Sequence, residues 1–280
     1  MLSSVKRMKA GLFESRGVPD VMEPGRRYQK GGLVSVDGRR EQLRPVGHCL
    51  AVPHHPDTRA QTLAALAEPV RLALVDRLVP GDASPSELAA HLGLGSNLLA
   101  HHLRVLEEAG VVRRVRSEGD RRRSYVQLRT DHPLVRAATL TSQQAGPAPR
   151  VVFVCTANTA RSQLAAATWN RQSAIPAISA GTHPGPRIHP RTIGIARRHG
   201  LHLAAERPVT VDNWLRDDDL VIAVCDNAHE ELNAALPRLH WAIPDPVRLD
   251  TDAAFENAYN DIARRVDHLT AIYRDTEKAS

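Results

Sequence analysis

The alternation of apolar and polar positions divides the chain into three stretches. Residues 1–56 keep no sustained period and mix Gly, Pro, Arg and Lys, which predicts a disordered N-terminal extension. From Asp57 the period becomes helical, with Leu63, Leu66 and Ala67 on one face and a second helix opening at Pro69 and running to Leu78. Ser84-Pro85-Ser86-Glu87 is a capping box with proline at the first helical position, so a third helix covers Pro85–His91. Gly93 and Gly95 make a tight turn, Ser96 is expected to cap a fourth helix that buries Leu99, Leu103 and Leu106, and Gly110 closes it. Val111–Arg116 and Ser124–Leu128 then alternate as two strands of a hairpin turning through Glu118–Arg123.

Residues 139–149 read as a linker, and beyond them strand and helix alternate. The strands are Val151–Val154, Ala177–Ala180, Leu220–Val224 and His240–Ile243. The helices open at Arg161 and cover Arg191–His199, Glu230–Leu236 and Asp252–Arg274, the last amphipathic through Phe255, Tyr259, Ile262, Val266 and Leu269. The fold class is therefore two domains. Residues 57–138 form an all-α plus wing winged helix-turn-helix, and residues 150–280 an α/β doubly wound parallel four-stranded sheet. The ligand site of such a sheet lies at the C-terminal ends of its strands.

Charge separates the halves. Residues 1–150 hold 23 Lys and Arg against 15 Asp and Glu, and residues 151–280 hold 14 against 16. The basic half suggests a nucleic-acid partner. Outward positions of the second helix of the helix-turn-helix, Ser96, Asn97, His101 and Arg104, would face the bases of double-stranded operator DNA. Arg121, Arg122 and Arg123 at the wing would contact phosphate. No apolar run is long enough to span a bilayer. Three cysteines, Cys49, Cys155 and Cys225, are too few for a disulfide scaffold and suit a cytoplasmic setting. His48, Cys49, His54 and His55 match no zinc spacing, and no metal site is expected.

The chemistry concentrates after the first strand of the second domain. Cys155 ends that strand, Thr156, Ala157, Asn158, Thr159 and Ala160 form a small loop, and Arg161 with Ser162 opens a helix. A loop between strand end and helix start offers backbone N–H groups and a favourable dipole to an arsenate- or phosphate-type oxyanion. The same field stabilises a thiolate, so Cys155 is expected to be a nucleophile, and Arg161 offers a planar fork for two oxygens. Cys225 and Asp245 also lie just past strand ends, and Asp245 is the candidate for protonating a leaving oxygen.

These residues carry two resemblances. The loop from Cys155 to Ser162, with Asn158 inside it and Asp245-Pro246 downstream, resembles low-molecular-weight protein tyrosine phosphatases and the thiol-dependent arsenate reductases of the same fold. That resemblance implies Asp245 as general acid and places Cys225 where the reductases have a second cysteine; Leu232 stands where a third would be. Cys225 is then either the resolving partner of Cys155, regenerated by an external redoxin, or packing, with an external small thiol as reductant; no bound cofactor is implied. Val247 rather than an aromatic follows Asp245-Pro246, which favours a small inorganic oxyanion over a phenyl ester. Leu63–Leu128 resembles the ArsR/SmtB-type repressors through Leu66-Ala67-Glu68-Pro69, Ser86-Glu87-Leu88-Ala89 and the run from His101 to Val112. It implies a homodimer whose dimerisation helix starts near Asp131. No cysteine lies between residues 57 and 150, so this domain cannot hold arsenite through thiolates. Together the expectations describe a repressor fused to an arsenate reductase in arsenic resistance. The alternatives are a phosphatase tethered to DNA, or a transcription factor whose second domain only senses an oxyanion.

Overall fold

The computed structural model of the protein describes residues 56–139, 148–212 and 214–278. The expected extension up to residue 55, with His48, Cys49, His54 and His55, and most of the expected linker lie outside them.

The first half is a helical cluster with a hairpin: α1 (Pro56–Leu66), α2 (Pro69–Leu78), α3 (Pro85–Leu92), α4 (Ser96–Glu108), β1 (Val112–Arg116), β2 (Ser124–Leu128) and α5 (Pro133–Thr139). Each start has a local cause. Glu68 caps α2 by accepting from Val70 N and Arg71 N, at 3.1 and 2.9 Å. The capping box of α3 forms as expected, with Ser84 N donating to Glu87 at 2.7 Å and Glu87 N to Ser84 Oγ at 3.3 Å. At α4 the expectation is corrected. Gly95 is the cap, no side chain caps the helix, and Ser96 is its first residue with an exposed side chain. Gly93 turns left-handed at φ 64° and Gly95 follows in extended geometry, so the turn ends one residue early. Gly110 closes α4 at φ 68° as expected. Leu74, Leu88, Leu99, Leu103, Leu106, Val111 and Val126 bury together, and this apolar stripe fixes how the helices pack.

The second half comprises β3 (Val151–Cys155), α6 (Arg161–Gln172), β4 (Ala177–Gly181), α7 (Pro190–Arg198), β5 (Leu220–Ala223), α8 (Asp226–Glu231), β6 (Leu239–His240), α9 (Pro246–Leu249) and α10 (Asp252–Lys278). The sheet runs β4-β3-β5-β6 with every pair parallel. All five residues of β3 are buried, as a strand covered on both faces requires. Three boundaries depart from expectation. The helix placed at Glu230–Leu236 instead begins at Asp226, because Cys225 Sγ accepts from Ala228 N at 3.4 Å and starts it early. The strand placed at His240–Ile243 ends at His240, because Ala242 N turns away to Asp82 at 2.7 Å. A short helix, α9, follows Asp245, whose carboxylate accepts from Val247 N at 3.1 Å.

The halves share a polar, buried contact. Asp82 accepts from Gln127 Nε2 at 2.8 Å, Ala242 N at 2.7 Å and Arg265 at 3.1 Å, so its charge is buried but fully paired. Trp241 Nε1 donates to Pro80 O at 3.0 Å. A Cβ on Gly81 would stand 2.7 Å from His240 O, so glycine lets the two backbones approach there. This is why β2, an alternating hairpin strand by sequence, is buried on both faces: Val126 meets the helical core while Tyr125 and Gln127 face the second half.

Candidate oxyanion site and DNA-facing surface

Cys155, at the end of β3, sits at the bottom of the loop that leads into α6. Its Sγ accepts from Asn158 N at 3.2 Å and lies 3.1 Å from Ser162 Oγ. Asn158 takes a left-handed conformation, φ 53°, which an asparagine tolerates better than most residues. It is held there on every side: its Nδ2 donates to Ser162 Oγ at 2.8 Å, and its Oδ1 accepts from Val209 N at 2.9 Å and Gln163 Nε2 at 3.2 Å. The loop carbonyls are bound from outside. Those of Cys155, Thr156, Ala157 and Thr159 accept from the N–H groups of Thr182, His183, Gly185 and His189. With these carbonyls bound from outside, the amide of Asn158 faces the thiol, as an amide of an anion-binding nest would. Gly181 is required beside it, since a Cβ there would meet Thr156 O at 2.7 Å and Asn158 at 3.0 Å.

Arg161 is the first residue of α6 and its side chain is buried, 6% exposed. One guanidinium nitrogen donates to Ile243 O at 2.9 Å and contacts Glu118 at 3.3 Å; the other lies 3.3 Å from Asp245. Burial would lower its pKa, but Cys225, Asp245, Cys155 and Glu118 around it outweigh that and raise it, so Arg161 stays charged. Cys225 caps α8 and lies 3.5 Å from Thr156 Oγ1. Burial pushes the Cys225 thiol up, against the pull of Arg161. Both cysteines are free and buried. The structure thus brings Cys155, Thr156, Asn158, Arg161, Ser162, Cys225 and Asp245 to one end of the sheet, with Ala157, Thr159 and Ala160 in the loop. A groove beside it is lined by residues including Ala157, Thr159, Pro186, His189, Arg191 and Val247, and no Phe, Tyr or Trp is among the described residues that line it.

Sequence reasoning missed Glu118, which looked like part of a hairpin turn and instead reaches Arg161 and Asp245 N. It also missed Gln163 behind Asn158, and the buried pair of Asp226 and His240, 3.0 Å apart. No local signal marks these; only Gly119 beside Glu118, in a position where a side chain would collide, hints at a close approach.

The DNA-facing candidates lie elsewhere. Ser96, Asn97, His101 and Arg104 are exposed on α4, and Arg121, Arg122 and Arg123 are exposed on the hairpin. Arg122 and Arg123 approach Asp120 at 3.1 and 3.7 Å. Among the described residues no cluster of His, Cys, Asp or Glu could hold a metal ion, and no helix is long and apolar enough to cross a membrane.

A helical cluster with a wing and a parallel sheet with a cysteine-arginine loop define a DNA-binding module joined to an oxyanion enzyme. Residues 66–115 match the family model of a helix-turn-helix domain, and residues 150–278 that of low molecular weight phosphotyrosine protein phosphatase. The chain belongs with the helix-turn-helix repressors through its first half, and its second half carries an enzyme domain similar to low molecular weight phosphotyrosine protein phosphatases and arsenate reductases. A biofilm growth-associated repressor of Xylella fastidiosa strain 9a5c is 43% identical over 77 residues, covering 28% of this chain and 68% of that protein. An arsenate reductase of Halalkalibacterium halodurans is 27% identical over 128 residues, covering 41% of this chain and 91% of that protein. The crystal structure of an arsenate reductase from Archaeoglobus fulgidus aligns at 34% identity and TM-score 0.38, over 42% of this chain and 97% of that one.

Proposed function

We propose that the chain is an ArsR/SmtB-type, operator-binding homodimeric repressor that carries its own thiol-dependent arsenate reductase and serves arsenic resistance in the cytoplasm. Residues 57–138 would bind DNA, 139–149 link, and 150–280 catalyse. The observation that carries the reading is the meeting of Cys155, Arg161, Asp245 and Cys225 at one end of the sheet, while the helix bearing Asn97, His101 and Arg104 stays exposed.

In this reading the loop from Thr156 to Ser162 and the Arg161 fork hold arsenate, and the Cys155 thiolate attacks arsenic. An As–O bond breaks as the S–As bond forms, and Asp245 gives the departing oxygen its proton so that water leaves. A second thiol then attacks Cys155 Sγ. The electron pair of the S–As bond passes to arsenic, arsenic(V) becomes arsenic(III), and arsenite leaves as a disulfide forms. The second thiol is Cys225, with a redoxin reducing the resulting disulfide, or an external small thiol. Ser162 and Asn158 position the Cys155 sulfur. At the other end Ser96, Asn97, His101 and Arg104 read base edges, and Arg121–Arg123 neutralise phosphates.

The phosphatase reading stands beside it on the family match of residues 150–278. Against it is the groove without an aromatic clamp. Arsenate-dependent thiol consumption by the purified protein, with and without a redoxin system, tests the proposal beside hydrolysis of an aryl phosphate. Brisk ester hydrolysis without arsenate turnover would replace the reductase by a phosphatase; silence in both would leave an oxyanion sensor.

A further inference from the structure

We infer that Glu118, at the tip of the wing, is a built-in competitor that holds the Arg161 guanidinium against an incoming oxyanion, and whose displacement undocks the wing. The inference rests on reading the loop from Cys155 to Ser162 as an oxyanion site and adds how that site is regulated.

Glu118 sets a carboxylate against two donors at the edge of the site. One of its oxygens lies 3.3 Å from Arg161 and the other accepts from Asp245 N at 3.0 Å. A guanidinium and a backbone N–H are the two donor types such a site offers to two oxygens of a tetrahedral ion. Three of the five N–H donors of the fork are already met. Each terminal nitrogen has two N–H bonds, and the nitrogen that meets Glu118 also serves Ile243 O at 2.9 Å, while the other faces Asp245 at 3.3 Å. An oxyanion that approaches the nitrogen held by Ile243 O and Glu118 therefore competes with a carboxylate already there, and Glu118 is the one supplied by the other half of the chain.

The wing tip is shaped to this seat. Glu118 N donates to Asp226 at 2.7 Å, and Asp120 N and Ser117 Oγ donate to Glu230 at 3.0 and 2.8 Å. Asp226 is itself anchored by His240 at 3.0 Å. A Cβ on Gly119 would lie 2.5 Å from Asn227 Oδ1 and 2.7 Å from Glu230 Oε2, so a larger residue there would push these side chains from the tip. Arg121, Arg122 and Arg123 follow directly in the same hairpin and are exposed. Filling the oxyanion site thus changes the footing of the hairpin that carries these arginines, and by linkage the two affinities are reciprocal.

The test uses the full chain and inorganic phosphate, which needs no turnover. Phosphate binding is measured by calorimetry for wild type, Glu118→Gln, Glu118→Ala and Gly119→Ala, the last disturbing the seat of the tip against Asn227 and Glu230 while the Glu118 carboxylate stays in the chain. Removing the internal carboxylate or its seat should tighten phosphate binding about tenfold, the scale of one charge-assisted hydrogen bond. In wild type, phosphate should also speed hydrogen exchange at the amides of Glu118 and Asp120. Equal phosphate affinity in all four proteins, with unchanged exchange at the tip, would overturn the competitor while leaving the oxyanion site standing. No phosphate binding by any of them would overturn both.

Discussion

The surface that carries Asn97, His101 and Arg104 and the loop around Cys155 are built in opposite ways. The first is exposed and lies on one face of a helix whose other face is core, so its side chains need no partner in the protein. The second is buried, and almost every polar group in it is already bound: Asn158 by three residues, Arg161 by Ile243, Glu118 and Asp245, the loop carbonyls by the segment from Thr182 to His189. An open face works by adding separate, salt-screened contacts. A buried nest works by holding its donors in place beforehand, so that no reorganisation is needed when charge arrives. Losses at the first should be graded and roughly additive, and losses at the second steep and non-additive.

The largest expected effect separates the two outright. Cys155→Ser should lower thiol-dependent arsenate turnover by at least ~10³-fold, because in the proposed mechanism the covalent adduct forms on the sulfur that this change removes. Its operator affinity, read by fluorescence anisotropy, should stay that of wild type; a parallel fall in DNA binding would mean the halves do not work as separate sites. Next is Arg161→Ala, expected to cost ~10²-fold in turnover through the missing donors to the oxyanion. If steady-state kinetics showed a change confined to KM, Arg161 would serve ground-state binding only.

Smaller again is a pH effect. Because burial pushes the Cys225 thiol up, its thiolate is scarce at neutral pH and grows as pH rises. Disulfide closure in a single turnover should therefore quicken up to about tenfold between pH 7 and 8 if Cys225 resolves the adduct. A flat profile would assign Cys225 to packing. The gentlest change belongs to the open face: replacing Arg121, Arg122 and Arg123 by Ala should weaken operator binding several-fold and reduce the salt slope by about one for each phosphate no longer neutralised. Titrations at several salt concentrations decide it, and an unchanged slope would remove the wing from the DNA interface.

How much of this was legible in the sequence depended on range. The capping box at Ser84, the closing glycine at Gly110, the buried strand at Val151–Val154 and the strand–loop–helix unit from Cys155 to Ser162 are local, set within a few residues by backbone preference and apolar period. The elements that shifted did so for local and for distant reasons: α8 and α9 start where Cys225 and Asp245 accept from backbone N–H groups two or three residues on. Strand β6 stops because Asp82, from the other half, takes Ala242 N. Helix α4 is a local miss, since Gly95 and Ser96 both suit the cap and only the turn through Gly93 settles between them. Glu118 was invisible for the same reason that β2 reads as a half-exposed strand: nothing nearby in sequence tells which surface the wing meets.

By itself, then, the sequence determined the order of elements, the two-part architecture and the cysteine-arginine loop, because hydrogen bonding to near neighbours and the apolar period are written residue by residue. Only the tertiary structure decided that Asp245 and Glu118 flank Arg161, that Cys225 lies beside Thr156, and that Asn158 is locked by Val209. These are contacts across tens of residues. Their geometry follows from the packing of the sheet against its helices and of the wing against the sheet, which no local pattern encodes.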